Sequence, residues 1–278
     1  MIHRHLPSLG RERSVKNRQS DLNPILFDPS GERDRKFEEQ GITMLIDTGN
    51  GLALFDDLLQ LAGEYVDFIK LGFGTTVLYS KELLEKKLQL AKKANVKLYP
   101  GGTLFEIALH KGVVNEYFDF LQNVGFDYIE ISEGTIDLPF RKRQMMIKEA
   151  VANGFTVISE CGKKEEGSSC EVKDLERMLY SDLECGASYV IVEGRESGEN
   201  VGIYNNNGKI DHGFLEDIKE TIPDDIRKFL IWEAPQKKQQ IELIHFWGRN
   251  VNLGNIQCKD AFSLECLRRG LRFDTFSK

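Results

Sequence analysis

The feature that most constrains this chain is a repeat in which a short apolar run ends in a polar or glycine-rich cluster. Most of these runs are followed by a helix-like stretch, and the pattern occurs eight times between Gly41 and about Gly270. Strands that alternate with helices at this spacing pair in parallel through right-handed crossovers. The 278 residues therefore predict a single-domain α/β protein, a (β/α)8 TIM-type barrel, whose chemistry lies on the loops after the strands.

The apolar runs give the positions of the predicted strands. We place them at Ile42–Ile46, Val66–Ile69, Val96–Tyr99, Tyr128–Ile129, Phe155–Ile158, Tyr189–Val192, Phe229–Trp232 and Val251–Leu253. Helical spacing and capping residues predict helices from Ser80 to before Asn95 and at Leu104–Asn123, Pro139–Asn153, Glu171–Cys185, Asp211–Thr221, Gln236–Trp247 and Ala261–Arg269. An open doubly wound sheet is the main alternative. Eight units and the lack of a G-x-G-x-x-G turn after the first strand argue against it.

Charge divides the chain into a short tail and a body. The first twenty residues hold five basic side chains and one acid, whereas the whole chain has a net charge of −7. We expect residues 1–24 to form a basic, disordered extension and residues 25–278 to form the catalytic barrel. An acidic body argues against nucleic acid as a partner, because phosphate contact needs a basic face. No apolar run approaches the roughly 20 residues that cross a bilayer, so we expect no membrane partner.

Cysteine and histidine usage narrows the chemistry further. The chain has five cysteines and no C-x-x-C pair, and its first residues lack the apolar core of a secretory signal, so we expect reduced thiols in a cytoplasmic protein. We interpret Cys161, beside Glu160, as a packed thiol. No histidine lies at the end of a predicted strand. Proton chemistry at the strand ends therefore falls to lysine or carboxylate.

Lysines follow three of the predicted strands: Lys70 the second, Lys163 and Lys164 the fifth, and Lys237 the seventh. The strand ends of a closed barrel converge on one rim, where these charges would attract a small anionic substrate. Surface lysines are common, so each of these lysines taken alone is also explained as an ordinary solvent-exposed residue. The adjacent pair is the stronger signal, because two neighbouring ammonium groups directly after a strand repel one another.

Carboxylates end four predicted strands, at Glu130, Glu160, Glu193 and Glu233. Four such acids without a histidine or thiolate pattern fit the oxygen ligands of a hard cation such as Mg²⁺. Each acid can instead pair with a lysine across the barrel. We predict that Glu130, Glu160 and Glu193 hold the metal.

Other polar residues at the strand ends are candidates for anion binding. Gly101, Gly102 and Thr103 precede a helix and offer backbone N–H groups, although a Gly-Gly pair is also explained as a tight turn. Arg195 can grip a carboxylate or phosphate with its planar fork. Barrels often hold phosphate on the last two loops, which here contain Pro235, Gln236, Asn252 and Asn255.

Six motifs at these joints together resemble the phosphosulfolactate synthase family. They are Lys70-Leu71-Gly72-Phe73-Gly74-Thr75, Tyr99-Pro100-Gly101-Gly102-Thr103-Leu104-Phe105-Glu106, Glu160-Cys161-Gly162-Lys163-Lys164, Glu193-Gly194-Arg195-Glu196-Ser197-Gly198, Glu233-Ala234-Pro235-Gln236-Lys237 and Leu267-Arg268-Arg269-Gly270-Leu271-Arg272. The resemblance runs from about Gly41 to Phe276. Two departures are Phe73, where the family often has tryptophan, and Cys161, where a small aliphatic residue is usual.

The resemblance implies a Mg²⁺-dependent carbon–sulfur lyase that joins sulfite to phosphoenolpyruvate, giving (2R)-phospho-3-sulfolactate on a route to coenzyme M or to sulfolactate. It also implies a homo-oligomer, expected to be a trimer. The general acid of the family falls on Lys164, with Lys163 beside it as a second catalytic candidate. The predicted substrate-binding residues are Lys70, Gly101, Gly102, Thr103, Arg195, Ser197, Gln236, Lys237 and Asn255.

Two alternatives stay open at this point. One is a non-catalytic family member with a stress-related role, which is expected to lack much of the lysine and carboxylate rim that this chain keeps. The other is an aldolase that forms a Schiff base through Lys164 or Lys163, which borohydride trapping would detect.

Overall fold

The computed structural model describes residues 24–33, 40–165, 167–168 and 170–276. Residues 1–23, which make up nearly all of the predicted basic extension, lie outside this part of the chain. Eight strands form the wall of a barrel, and each overlaps a predicted one. They are β1 (Thr43–Asp47), β2 (Phe68–Leu71), β3 (Lys97–Pro100), β4 (Tyr128–Ile131), β5 (Thr156–Cys161), β6 (Ala187–Val192), β7 (Leu230–Glu233) and β8 (Leu253–Gln257). The predicted (β/α)8 architecture is confirmed.

The strands pair in the order β3-β2-β1-β8-β7-β6-β5-β4, and all of the pairs are parallel. β3 and β4 lie side by side, but no ladder joins them in the described structure. We call this line the β3–β4 seam. Side chains span it, since the Glu130 carboxylate accepts a hydrogen bond from the Gly102 N–H and Glu106 accepts one from the Ser132 hydroxyl. The barrel is therefore nearly closed.

Helices fill the connections between the strands. They are α1 (Pro24–Phe27), α2 (Leu52–Ala62), α3 (Lys81–Lys93), α4 (Gly102–Lys111), α5 (Val114–Val124), α6 (Phe140–Ala152), α7 (Val172–Cys185), α8 (His212–Thr221), α9 (Asp224–Arg227), α10 (Lys237–Trp247) and α11 (Ala261–Arg268). No helix within the described ranges is both long and apolar enough to cross a membrane.

Capping residues mark where several helices begin or end. The Ser80 hydroxyl accepts a hydrogen bond from the Leu83 N–H at the start of α3, and Gly186 ends α7 with φ 110°. Two predictions of helices were wrong. The segment predicted as one helix from Leu104 is split into α4 and α5, because Gly112 ends α4 in the left-handed region with φ 73°. α2, which lies between β1 and β2, was not predicted.

Inward-facing side chains form two layers inside the barrel, because successive inward positions of a strand are two residues apart. The lower one, the apolar layer, consists of Ile42, Met44, Phe68, Tyr99, Ile158, Ile191 and Ile231, together with the partly buried Tyr128 and Tyr189 that pack against them. Two residues further along five of the strands comes an ionisable side chain. This upper set, the charged layer, consists of Lys70, Glu130, Glu160, Glu193 and Glu233, joined by Lys164 from the loop after β5.

Candidate active site

Lys70 lies at the centre of the charged layer. Its Nζ is 2.8 Å from Glu233 Oε1, 3.4 Å from Glu130 Oε2 and 3.5 Å from Glu160 Oε2. Burial alone would lower the pKa of Lys70, but the three carboxylates raise it well above its ordinary value. Lys70 therefore carries a charge that balances part of the acid cluster. Its side chain is only 7% exposed, so it lies below the mouth of the barrel.

Lys164 contacts the same acids from above. Its Nζ is 3.0 Å from Glu160 Oε1 and 3.6 Å from Glu193 Oε2. The Lys164 side chain is 25% exposed, whereas those of Glu160 and Glu193 are 1% exposed. Burial would lower the pKa of Lys164, but Glu160 and Glu193 raise it above its ordinary value, so the group is an ammonium at neutral pH. Lys164 is thus a charged donor with one side open to the mouth.

Three buried carboxylates of this layer converge. Glu160, Glu193 and Glu233 each place an oxygen within 4.8 Å of the others. Glu193 Oε2 is buried and accepts no hydrogen bond in the described structure. Burial, followed by Glu160 and Glu233, raises the pKa of Glu193 well above its ordinary value. An acid cluster with an unsatisfied buried oxygen can hold a metal ion, and this triad is such a site.

Glu160 differs from Glu193 although the two are neighbours. Burial would raise the pKa of Glu160, but Lys164 and Lys70 together lower it below its ordinary value. Glu160 is therefore ionised while Glu193 favours its proton. Two adjacent carboxylates that hold different protonation states are typical of functional sites.

Glu130 was predicted as a metal ligand, and the structure gives it different contacts. Its Oε1 accepts the Gly102 N–H at 2.7 Å, and its Oε2 faces Lys70. Burial raises the pKa of Glu130 to about 7. The acid triad that converges within 4.8 Å contains Glu160 and Glu193 of the predicted set together with Glu233, and the assignment of Glu130 as a ligand stays a prediction.

The glycine pair after β3 begins α4. Gly101 is its N-cap residue, and the N–H of Gly102 is already bound by Glu130. A Cβ on Gly102 would overlap the Ser132 side chain and lie 2.7 Å from Glu130 Oε1. Thr103, the next residue of α4, is partly exposed. This close approach explains the glycine at 102 without a bound anion.

The adjacent lysines 163 and 164 point to different places. Lys163 Nζ donates to the carbonyl oxygens of Ile136 at 2.6 Å and Glu133 at 3.2 Å, and it pairs with Asp137 at 3.2 Å. These partners lie on the loop after β4, not in the charged layer. The two ammonium groups therefore have different partners, and their mutual repulsion is reduced.

Arg195 and Asn255 meet at the ends of β6 and β8. The Arg195 N–H donates to Glu193 Oε1 at 2.6 Å, and its carbonyl accepts from Asn255 Nδ2 at 3.3 Å. Both residues have left-handed backbones, with φ 57° and 53°. Asparagine adopts this conformation readily, whereas it is uncommon for arginine, and such residues cluster at functional sites. Asn255 Oδ1 is buried without a hydrogen-bond partner in the described structure. The two residues belong to the rim that surrounds the charged layer.

The other predicted binding residues link loops together. Gln236 Nε2 donates to the Ser197 carbonyl at 2.6 Å, which ties the loop after β7 to the loop after β6. Lys237 pairs with Asp274 at 2.6 Å and has no recorded contact with the charged layer among the described residues. Asn252 precedes β8 and lies at the opposite end of the barrel, where its oxygen accepts the Ile42 N–H.

Several residues of the site escaped sequence reasoning. Glu106 of α4 accepts hydrogen bonds from the loop after β4, and the Tyr204 hydroxyl donates to the Glu233 carbonyl at 2.5 Å. Glu106 is the last residue of the Tyr99–Glu106 motif, but its neighbours in the helix are apolar and gave no sign that it contacts the site. Cys161 is buried at 3% exposure and packs in the core, which agrees with its interpretation as a packed thiol.

Comparison with known proteins gives close relatives over most of the chain. Residues 31–274 match the family model described as (2R)-phospho-3-sulfolactate synthase (ComA). The phosphosulfolactate synthase of Methanothermobacter thermautotrophicus is 43% identical over 248 residues, which cover 88% of this chain and 95% of that protein. The phosphosulfolactate synthase of Methanocaldococcus jannaschii is 40% identical over 242 residues, which cover 86% of this chain and 95% of that protein.

A solved structure shares the fold at low identity. The N-acetylneuraminate lyase of Mycoplasma synoviae superposes with a TM-score of 0.51 at 14% identity, over 85% of this chain and 76% of that chain. At that identity the likeness concerns the barrel alone.

Proposed function

The chain belongs to the phosphosulfolactate synthase family of lyases, and from this membership we propose that it adds sulfite to C3 of phosphoenolpyruvate with Lys164 as the general acid. The sulfur lone pair forms the new C–S bond, and the electrons of the C2–C3 double bond move onto C2 and into the carboxylate. A proton delivered to C2 completes (2R)-phospho-3-sulfolactate. The observation that carries this proposal is the charged, partly exposed Lys164 ammonium directly above the acid cluster.

The proton donor must face the bound substrate and be protonated before the reaction begins. Within the charged layer, the Lys164 side chain is 25% exposed, while the Lys70 side chain is 7% exposed. Glu160 and Glu193 keep the pKa of Lys164 above its ordinary value, so the proton is present at neutral pH. A positioned general acid contributes typically 10² to 10⁴ in rate.

The acid triad fits the divalent metal that the family resemblance implies. We propose that Glu160, Glu193 and Glu233 would hold Mg²⁺, because they offer several carboxylate oxygens and the buried Glu193 Oε2 lacks a hydrogen-bond partner. When bound, Mg²⁺ supplies a Lewis acid that stabilises charge developing on the substrate carboxylate. Lys70 holds Glu233 and Glu160 in place from below.

The substrates are anions, and the rim supplies groups that can bind them. The backbone of Arg195 is fixed by two hydrogen bonds, one from its N–H to Glu193 and one to its carbonyl from Asn255. No partner of its guanidinium is recorded in the described structure. We propose that this guanidinium binds the phosphate or the sulfonate group, at about 1.5 to 3 kcal/mol for each charge-assisted bond. The trimer implied by the resemblance stays a prediction, which light scattering of the purified protein tests.

The same geometry disfavours the Schiff-base alternative. An amine must lose its proton to attack a carbonyl, and such lysines have lowered pKa values. The carboxylates around Lys164 raise its pKa instead. Lys163 is occupied by two carbonyl oxygens and Asp137.

Product analysis with two variants tests the proposal. Purified protein with phosphoenolpyruvate, sulfite and Mg²⁺ should form phosphosulfolactate. Lys164→Ala should lower kcat by about 10²-fold or more. Lys164→Arg should be similarly slow, because a guanidinium keeps the charge but does not release its proton.

Lys92→Ala serves as the matched control, since Lys92 pairs with Asp127 on the surface and has no recorded contact with the charged layer in the described residues. The control should turn over like the unaltered protein. Unaltered turnover in Lys164→Ala, or no phosphosulfolactate from the unaltered protein, would overturn the proposal.

A further inference from the structure

We propose that Glu106 and Gly134 are positioning residues for Lys164: Glu106 fixes the loop after β4, and Gly134 of that loop fixes the lysine side chain. The proposal rests on the role of Lys164 as proton donor given above. Neither Glu106 nor Gly134 has a recorded contact with the acid triad among the described residues. Any effect they have on the reaction must therefore pass through another group.

Glu106 reaches across the β3–β4 seam from α4 and is 1% exposed. Its Oε1 accepts the Ser132 hydroxyl at 2.5 Å and the Gly134 N–H at 2.9 Å, and its Oε2 accepts the N–H of Thr135 at 2.9 Å together with the Thr135 hydroxyl. No cation lies within ion-pair distance of Glu106 in the described part of the chain. Four donors from one short loop thus stabilise a buried carboxylate, and the loop is fixed in return.

Gly134 is the point at which this loop contacts Lys164. Its carbonyl accepts the Lys164 N–H at 2.9 Å. A Cβ at position 134 would lie 2.7 to 2.9 Å from the Cδ, Cγ and Cε atoms of Lys164, which is closer than such atoms approach. The methylene chain of the lysine therefore lies directly against the glycine.

Lys163 holds the same loop from its other side. Its Nζ donates to the carbonyl oxygens of Glu133 and Ile136, which flank Gly134. The adjacent lysines thus divide two tasks, since one binds the loop and the other extends along it toward Glu160. This division accounts for a lysine pair of which only one member reaches the charged layer.

Placement matters because proton transfer to carbon depends steeply on distance, and a displacement of about 1 Å can cost about 10²-fold in rate. If Glu106 no longer held the loop, Gly134 would shift and the Lys164 Nζ would move with it. Substrate contacts made by other groups would persist. The expected signature is a loss in kcat with little change in KM.

A double-mutant cycle with Glu106→Gln and Lys164→Ala separates positioning from general damage. Glutamine keeps the size of the side chain. Its amide nitrogen is a donor, so it cannot accept the hydrogen bonds that one Glu106 oxygen accepts from the loop. We expect Glu106→Gln to lower kcat about 10- to 100-fold with KM for phosphoenolpyruvate within about threefold. Its solvent deuterium isotope effect on kcat should rise, because protonation becomes rate-limiting. In the Lys164→Ala background Glu106→Gln should have no further effect on kcat.

Equal losses of kcat in both backgrounds, or an unaltered kcat in Glu106→Gln, would overturn the inference. Unaltered turnover in Lys164→Ala alone would instead overturn the proposed function, so the two failures are distinguishable.

Asp47→Asn is the control for general damage at a buried carboxylate. It weakens a buried carboxylate that accepts the N–H groups of Gly49 and Asn50 on the loop after β1, and its effect should be equal in both backgrounds. Asp47 also pairs with Lys87 at 2.6 Å, so this variant is expected to lose stability, and its kcat is compared at a temperature where it is folded.

Gly134→Ala gives a second variant that leaves Glu106 intact should Glu106→Gln fail to fold. The added methyl group would displace the Lys164 side chain, and we expect the same fall in kcat and the same lack of effect in the Lys164→Ala background. Gly51→Ala is its control, because nothing lies within 4 Å of a Cβ built there. An unaltered kcat in Gly134→Ala would overturn the inference on its own.

Discussion

The apolar layer and the charged layer are built by the same strands, two residues apart. β2 contributes Phe68 and then Lys70, and β5 contributes Ile158 and then Glu160. In the apolar layer, Phe68 packs edge-to-face against Tyr99, Tyr128 and Tyr189, with ring centroids 5.7 to 6.3 Å apart. In the charged layer, four carboxylates and two ammonium groups share a volume that is almost as well buried.

The apolar layer stabilises the barrel, whereas the charged layer carries the groups proposed for the chemistry. The apolar layer removes hydrophobic surface from water, and the Tyr99 hydroxyl within it contacts the Met44 sulfur. The charged layer is costly to bury, and its acids exceed its cations by two. Protons on Glu193 and Glu130 offset part of this excess in the metal-free protein, and a metal ion would supply the positive charge in their place. The two layers should therefore respond in opposite ways to substitution, metal and pH.

Chelation of metal should have the largest effect, and it should affect only the charged layer. We expect turnover to be abolished in excess chelator and restored by added Mg²⁺, while the circular dichroism of the barrel stays unaltered. The check is turnover measured before and after restoration. Full activity in excess chelator would remove the metal from the proposed mechanism.

Truncation in the apolar layer should give the reverse result. Ile158→Ala removes a fully buried side chain, so the free energy of unfolding should fall by about 2 to 5 kcal/mol. We expect kcat of the folded protein to stay within about threefold. Urea denaturation and turnover measured below the unfolding transition check this prediction. A tenfold loss of kcat without loss of stability would show that the layers are not separable.

Stability of the metal-free protein should depend on pH through Glu130. Burial raises the pKa of Glu130 from 4.5 to about 7 in the folded protein. The fold therefore favours the protonated acid, and this contribution is complete below about pH 4.5 and is lost as the pH rises to about 7. The free energy of unfolding should fall by about 1 to 3 kcal/mol across this window. Urea titrations in Glu130→Gln should show a smaller slope, and an equal slope would contradict the assignment.

Glu193→Gln should give the smallest change in the free energy of unfolding. It should also change stability and turnover in opposite directions. The substitution removes an acid whose pKa burial raises, and a glutamine amide can still donate to the neighbouring Glu160 carboxylate. We expect the metal-free protein to gain about 1 kcal/mol at neutral pH, while Mg²⁺ affinity and turnover fall. Calorimetric titration with Mg²⁺ and denaturation in chelator provide the measurement. A loss of stability together with unaltered Mg²⁺ binding would contradict it.

Sequence reasoning recovered the strands because apolar periodicity is local. The same periodicity placed Glu160 and Glu193 at the strand ends, where the structure has them. Which of the four acids lie close enough together to share a metal ion depends on distances across the barrel, and the sequence does not contain these. Glu130 and Glu233 look alike in the sequence, and each accepts a backbone N–H, from Gly102 and from Gly194 respectively. Only the placement of Glu233 beside Glu160 and Glu193 brings it into the triad.

The lysine pair shows a second limit. Lys163 and Lys164 have the same chemistry and adjacent positions, so their sequence alone gives no basis for their different partners. Glu106 was equally hidden, because its hydrogen-bond donors lie about 26 to 29 residues away on the next βα unit. Long-range contacts of this kind depend on the closed barrel and not on the local pattern.

The β3–β4 seam has one more consequence. A barrel with an unpaired line is a rolled sheet with two edges, and free edges invite association with strands of other chains. β3 and β4 are short, and Glu106 and Glu130 hold their neighbouring loops together across the gap. We expect loss of both carboxylates to expose the two edges and to increase association between copies of the chain.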